Sequence, residues 1–155
     1  MAAAGVLVGV AYYILDMRHQ TKVRHTDLLM RMYLAMGSED MNKARLRFLA
    51  LKITTYDDFK EKYGPPFSAE PSQEWIDLDK IGWFYNGLGL LVHRQLASVE
   101  LVEDFLGYGV VIAWERIGPL AYGWRKEYNM PKSFEWFEYL YNEMKKIDHR
   151  GDTSG

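Results

Sequence analysis

The sequence contains no cysteine, which removes disulfide scaffolds, zinc fingers, cysteine-ligated iron–sulfur clusters and thiol chemistry together. It also lacks an excess of charge of one sign. Its 19 basic residues face 21 acidic ones, for a formal net charge of −2, so the overall charge does not favour nucleic acid as a partner. Proline is scarce, at five in 155 residues. No uncharged apolar run reaches the roughly 17–20 residues that a bilayer-spanning helix requires. What is present is 48% hydrophobic and 15% aromatic residues. That content excludes disorder of the chain as a whole, and the length suits a single domain, which commonly has about 100–150 residues.

The charge is unevenly distributed. Residues 1–63 carry ten Lys/Arg and seven Asp/Glu, whereas residues 64–155 carry nine and fourteen. The apolar residues are uneven too: Ala2–Leu15 has fourteen positions without a charge and is followed at once by Asp16, Arg18, His19, Lys22, Arg24 and His25. Four readings of this segment differ in what they require. Fourteen helical residues are too short for a full span at 1.5 Å per residue against a core of roughly 30 Å. A secretory signal peptide carries its positive charge before the apolar stretch, not after it. A buried helix explains apolarity on all sides but leaves Tyr12, Tyr13 and the basic cluster as coincidences. The fourth reading is a membrane-anchor helix over 1–15 whose outer end is short or missing. It places Tyr12 and Tyr13 in an interfacial aromatic belt and Arg18, Lys22 and Arg24 on the cytoplasmic side. Gly5 and Gly9 add a small-xxx-small spacing of the kind that brings helices close in lipid.

The remainder reads as helices, with no persistent period-two pattern. Val23, Leu29, Met32, Tyr33 and Met36 recur at helical spacings, so one helix can run from the apolar segment to Met36 and stop at Gly37. Ser38 opens a second helix near 39–53, and Thr55 with Asp58 resembles a capping box for a short helix near 56–63. Residues 64–73 hold three of the five prolines and form a loop between an arm (16–63) and a main bundle (74–147). A long helix from Glu74 carries Leu78, Ile81, Leu88 and Leu96 on one face, and its Gly82, Gly87 and Gly89 suggest close approach of a neighbour. Ser98 opens the next element, Gly107 and Gly109 bend the chain, and a helix near 110–128 is kinked at Pro119. Ser133 caps a final helix, and 148–155 form a polar tail.

Chemical motifs are sparse. His19 and His25 are six apart and do not share a helix face. His93 and Arg94 suit a helix C-terminus, and the acid pairs Asp57/Asp58 and Glu135/Glu138 suit helix N-termini. Asn86-Gly-Leu-Gly89 lacks the third glycine and the preceding strand of a dinucleotide fingerprint. No metal-ligand set, nucleophile elbow or phosphate loop is found, so the sequence implies no cofactor and no enzyme. The five tryptophans stand out: Trp83, Trp114 and Trp124 are candidates for an aromatic ligand pocket, against the simpler reading that they belong to an aromatic core.

The segments Tyr12 to Gln20, Asp27 to Tyr33, Tyr56 to Phe59, Trp114 to Pro119 and Phe137 to Lys146, in that order, resemble a family of small archaeal and bacterial proteins known only as a domain of unknown function. The similarity covers nearly the whole chain and rests on packing motifs. It implies one membrane helix followed by a cytoplasmic helical domain. Family members generally have a longer apolar start, and no catalytic residues come with the resemblance.

The expectation is therefore an all-α protein, an N-terminal anchor leading into a cytoplasmic bundle of about five or six helices. The expected role is a non-catalytic interaction or scaffold module at the cell membrane, single-pass, with Arg18, Lys22, Arg24 and Arg31 contacting anionic headgroups. Its partners would be membrane lipids and a protein or a second copy, not nucleic acid. A ligand-sensing module with an aromatic pocket is the first alternative. A subunit of a membrane complex is the second, to be signalled by an exposed apolar stripe on residues 21–36.

Overall fold

A computed structural model describes the backbone of residues 2–52 and 55–152 and the side chains of 8–52 and 55–147. Among the described residues the chain is all-helical, with six helices and no strand: α1 (Ala2–Met36), α2 (Glu39–Ala50), α3 (Tyr56–Tyr63), α4 (Gln73–His93), α5 (Val99–Glu127) and α6 (Glu135–Asp152).

Local chemistry sets most of the boundaries. Ser38, Thr55, Ser72 and Ser98 sit in extended backbone before α2, α3, α4 and α5, and each side chain accepts a backbone N–H three residues on. These bonds satisfy donors that the first helical turn leaves without partners. The expected single helix to Met36 is present, whereas α2 stops at Ala50, short of the expected 53.

The body is built around α4, which packs most extensively on α6 and also on α2 and α5. Two of its three glycines permit this. A Cβ on Gly82 would lie 2.3 Å from the Phe134 ring, and one on Gly89 would lie 1.9 Å from the Trp136 carbonyl oxygen. Gly87, by contrast, faces open space. Leu78, Ile81, Tyr85, Leu88 and Val92 of α4 are buried, together with Ile117 and Leu120 of α5 and Phe137, Leu140 and Met144 of α6. One buried charge ties α2 to α4: Asp77, 1% exposed, accepts two hydrogen bonds of 2.7 Å from Arg47 and one of 2.8 Å from Gln73.

Several sequence expectations give way here. Gly107 and Gly109 do not bend the chain, because residues 99–127 form one continuous helix. Pro119 does lie inside that helix, as expected, and is exposed, so the carbonyl that loses its donor is turned toward water. Ser133 does not cap α6, since its hydroxyl accepts the Trp124 indole N–H at 2.9 Å. The cap comes from another helix: Asn86 Oδ1 accepts the backbone N–H groups of Trp136 and Phe137 at 3.1 and 3.3 Å. Phe134, at φ 56°, turns the chain into α6 with its ring over Gly82. The expected polar tail is in part helical, as α6 runs to Asp152.

The N-terminal segment is also corrected. Among the described residues no helix is long and apolar enough to cross a membrane. The fourteen apolar residues of 2–15 extend about 21 Å as a helix, and α1 turns polar at Asp16 without a break. Gly9 has open space around it, and the side-chain positions of Gly5 and His149 lie outside the described residues.

Candidate functional site

The first part of α1 stands away from the body. Every described residue from Val8 to Arg24 is exposed, a length of about 25 Å, and Leu29 is the first buried one among the described side chains of this helix. Val8, Val10, Tyr12, Tyr13, Ile14 and Leu15 all face solvent, with Val8 at 70% and Tyr12 at 74% exposure. Soluble domains do not ordinarily leave a contiguous apolar surface of this kind uncovered.

The four expected headgroup contacts are not equivalent. Arg18 and Lys22 are four residues apart and share a face. With Ile14, Met17 and His25 they line an open notch of about 600 Å³ against Ser98 and Leu101 at the start of α5. Arg24 lies two residues beyond Lys22, about 200° round the helix, and so faces away from the notch. Arg31 shares the side of Arg24, seven residues on, but it pairs with Asp27 at 2.9 Å and sits about 20 Å along the axis from Arg18. Arg31 is therefore set apart from Arg18 and Lys22, and its charge is shared with Asp27. The expected stripe on 21–36 divides as well: Leu29 and Met36 are buried, while Val23, Met30 and Leu34 are exposed at spacings of seven and four that place them on one outer face.

The tryptophan triad does not assemble. Trp114 is buried against Phe137, with ring centroids 4.9 Å apart, and against Tyr122 and Arg125. Trp124 is buried, whereas Trp83 is 60% exposed and packs edge-on against Phe134. Trp83 and Trp124 do share a small cavity with Trp75 and Phe134, of about 140 Å³, below the roughly 300 Å³ at which pockets for drug-sized ligands begin. Trp114 is not in its wall.

The polar clusters hold helices together. Glu127 of α5 accepts from the Tyr56 hydroxyl at 2.5 Å and from Lys60 at 3.0 Å, clamping α3. These hydrogen bonds hold the Glu127 carboxyl below its ordinary value, and burial together with the same carboxylate pushes the Tyr56 hydroxyl up. Glu138 accepts from Tyr122 at 2.5 Å and from Arg125 at 2.6 Å. The remaining Arg125 nitrogen, buried without a hydrogen-bond partner, belongs to a guanidinium that lies over the Tyr122 and Trp114 rings. His93 stacks on Trp136 with centroids 4.3 Å apart. Among the described residues no group of three His, Asp or Glu is placed to hold a metal ion.

Sequence reasoning passed over one region entirely. Between the end of α1, α2 and α5, above α4, lies a recess of about 570 Å³ lined in part by Tyr33, Asn42, Arg45, Tyr85 and Gly109. Its signal in the sequence was Gly107-Tyr-Gly109, which read as a bend.

Among the described residues, fold and surface together define an all-α protein with a six-helix arrangement and an exposed apolar N-terminal arm. A model of the domain of unknown function DUF4760 matches residues 1–144, and the chain belongs to that family. No curated protein and no solved structure matches it.

Proposed function

We propose that this chain is a non-catalytic interaction module attached to the cell membrane by the first part of α1, with its helical body on the cytoplasmic side. The observation that carries this reading is the exposed apolar arm, Val8 to Leu15, followed directly by Arg18, Lys22 and Arg24. Lipid would take up the apolar surface that no part of the body covers. With the arm entering end-on, Tyr12 and Tyr13 lie at interfacial depth and the three cations reach anionic headgroups from different sides of the helix. Arg31 stays outside this layer. The arm falls short of a roughly 30 Å hydrocarbon core, a mismatch that a bilayer meets by thinning locally.

Cosedimentation of the full chain with vesicles containing phosphatidylserine tests this. Replacing Arg18, Lys22 and Arg24 with glutamine should weaken binding roughly a hundredfold, at about 1 kcal/mol per basic residue. Equal pelleting of wild type and triple variant, or no pelleting of either, would remove the reading.

A second reading, an accessory subunit of a membrane complex, is favoured by the exposed face of Val23, Met30 and Leu34. It predicts that crosslinks formed in native membranes concentrate on residues 23–34. Crosslinks confined to lipid and to the chain itself would count against it.

A further inference from the structure

The recess between α2 and α5 continues inward. Beside the outer cavity of about 570 Å³ lies a narrower one of about 130 Å³, and the two share Arg45, Tyr85, Tyr108 and Gly109 in their walls. The inner cavity is apolar, lined by Phe48, Leu49, Ile81, Ile112 and Ala113. Two polar groups in the shared wall are open to a ligand.

The first is the Tyr85 hydroxyl. Tyr85 is 1% exposed and its ring is stacked on Phe137, with centroids 4.9 Å apart and planes 24° from parallel, so its position is held by the core. Its hydroxyl makes no hydrogen bond to any described residue and, with Tyr85 in the wall of the open outer cavity, is free to bond to a molecule in the recess. Gly109 keeps the space around it open, since a Cβ there would come within 2.8 Å of the hydroxyl oxygen. Burial pushes this hydroxyl up to about 12 while nearby Arg45 pulls it down, so at neutral pH it is protonated and able to donate. The second group is the Arg45 guanidinium. Its hydrogen bond is to Asn42 Oδ1 at 3.3 Å, and no described carboxylate lies within ion-pair reach.

An O–H donor with no protein partner and a guanidinium with no ion pair, both in the wall of one recess, suit an acceptor bearing negative charge. The apolar inner cavity calls for hydrocarbon. We propose that this recess binds a small aliphatic carboxylate, its head held by Tyr85 and Arg45 and its chain in the pocket between Phe48, Ile81 and Ile112. At roughly 30 Å³ for a water-sized group, the inner cavity takes about four carbons. Glu103 and Asp104 on the α5 wall of the outer cavity repel a carboxylate there and confine the head to the Arg45 side.

The test uses the full chain and sodium pentanoate, followed through the backbone amide resonances of Gly107 and Gly109. Saturable shifts of these two amides are expected, with pentanol and acetate each binding about tenfold more weakly. Tyr85→Phe should weaken pentanoate about tenfold and leave the thermal midpoint within a few degrees of wild type, because the hydroxyl it deletes makes no hydrogen bond within the protein. Arg45→Gln should weaken pentanoate without changing pentanol, and Ala113→Leu should abolish both by filling the inner cavity. Absence of saturable shifts in the folded wild type, shifts confined to the apolar arm, or pentanoate binding indifferent to both Tyr85→Phe and Arg45→Gln would overturn the proposal.

Discussion

The arm of α1 and the α4–α6 core are both rich in aliphatic and aromatic residues, yet they end in opposite environments. Leu88, Ile117 and Leu140 are fully buried, while Val8, Tyr12 and Leu15 face solvent. Apolarity supplies the drive toward burial, but burial also needs a complementary face. Helix α4 offers one through Gly82 and Gly89, against which Phe134 and the Trp136 backbone lie. Among the described residues the arm meets no such surface beyond its notch with the start of α5. The same residue types therefore stabilise the fold in one place and remain free for another molecule in the other.

The sharpest way to break this comparison is a matched pair of truncations. Phe137→Ala removes a fully buried ring that packs on Tyr85 and Trp114 and is expected to cost about 3–5 kcal/mol in urea unfolding. Ile14→Ala in the arm should leave the unfolding midpoint within about 0.5 kcal/mol of wild type while reducing vesicle binding. A large stability loss from Ile14→Ala would mean that the arm is covered in solution.

Asp77→Asn comes next in size. It keeps the shape but removes the charge that receives both Arg47 nitrogens. Arg47 is half-exposed, so water can solvate the stranded guanidinium. The expected loss is about 1–2 kcal/mol, short of the roughly 3–5 seen when the abandoned partner is fully buried. Asn86→Ala should cost about 1 kcal/mol, the usual worth of a helix N-cap, with hydrogen exchange speeding up first at Trp136 and Phe137.

The smallest effect concerns pH and the clamp on α3. Glu127 is held below its ordinary value of 4.5 by Tyr56 and Lys60. A carboxyl that is more acidic in the folded state adds stability above its unfolded pKa, and that stability is lost as pH falls through the folded pKa. The thermal midpoint should therefore decline below about pH 4.5, and Glu127→Gln should flatten that decline. An unchanged acid limb in Glu127→Gln would show that the α3 clamp contributes nothing to it.

Much of the fold was legible because it is encoded within a few residues. Ser38, Thr55 and Ser98 mark helix starts by side-chain chemistry that acts three residues away, and each proved to be a cap. The periodicity of α4 identified Leu78, Ile81, Leu88 and a close helix neighbour. Three of the misreadings involve partners distant in sequence. Gly107 and Gly109 read as breakers because glycine lowers helicity, yet neighbouring packing carries α5 straight through them, and Gly109 instead makes room for Tyr85 of α4. Ser133 read as a cap until Trp124 claimed its hydroxyl, and Asn86, 50 residues earlier in the chain, took its place. Trp114 and Trp124 have the helical spacing of core residues and are buried as such, but spacing carries no information about which cavity they line, and the candidate pocket of three tryptophans is one small cavity without Trp114.

By itself the sequence determined the helical class, most helix starts, and the abrupt step from the apolar segment to the basic cluster, because capping, periodicity and charge order act over a turn or two of chain. Only the tertiary structure decided that the apolar arm stays uncovered, that Arg31 is set apart from Arg18, and that Arg45 and Tyr85 meet at a recess. Those outcomes depend on which surfaces segments far apart in the chain present to one another, and no local pattern specifies that.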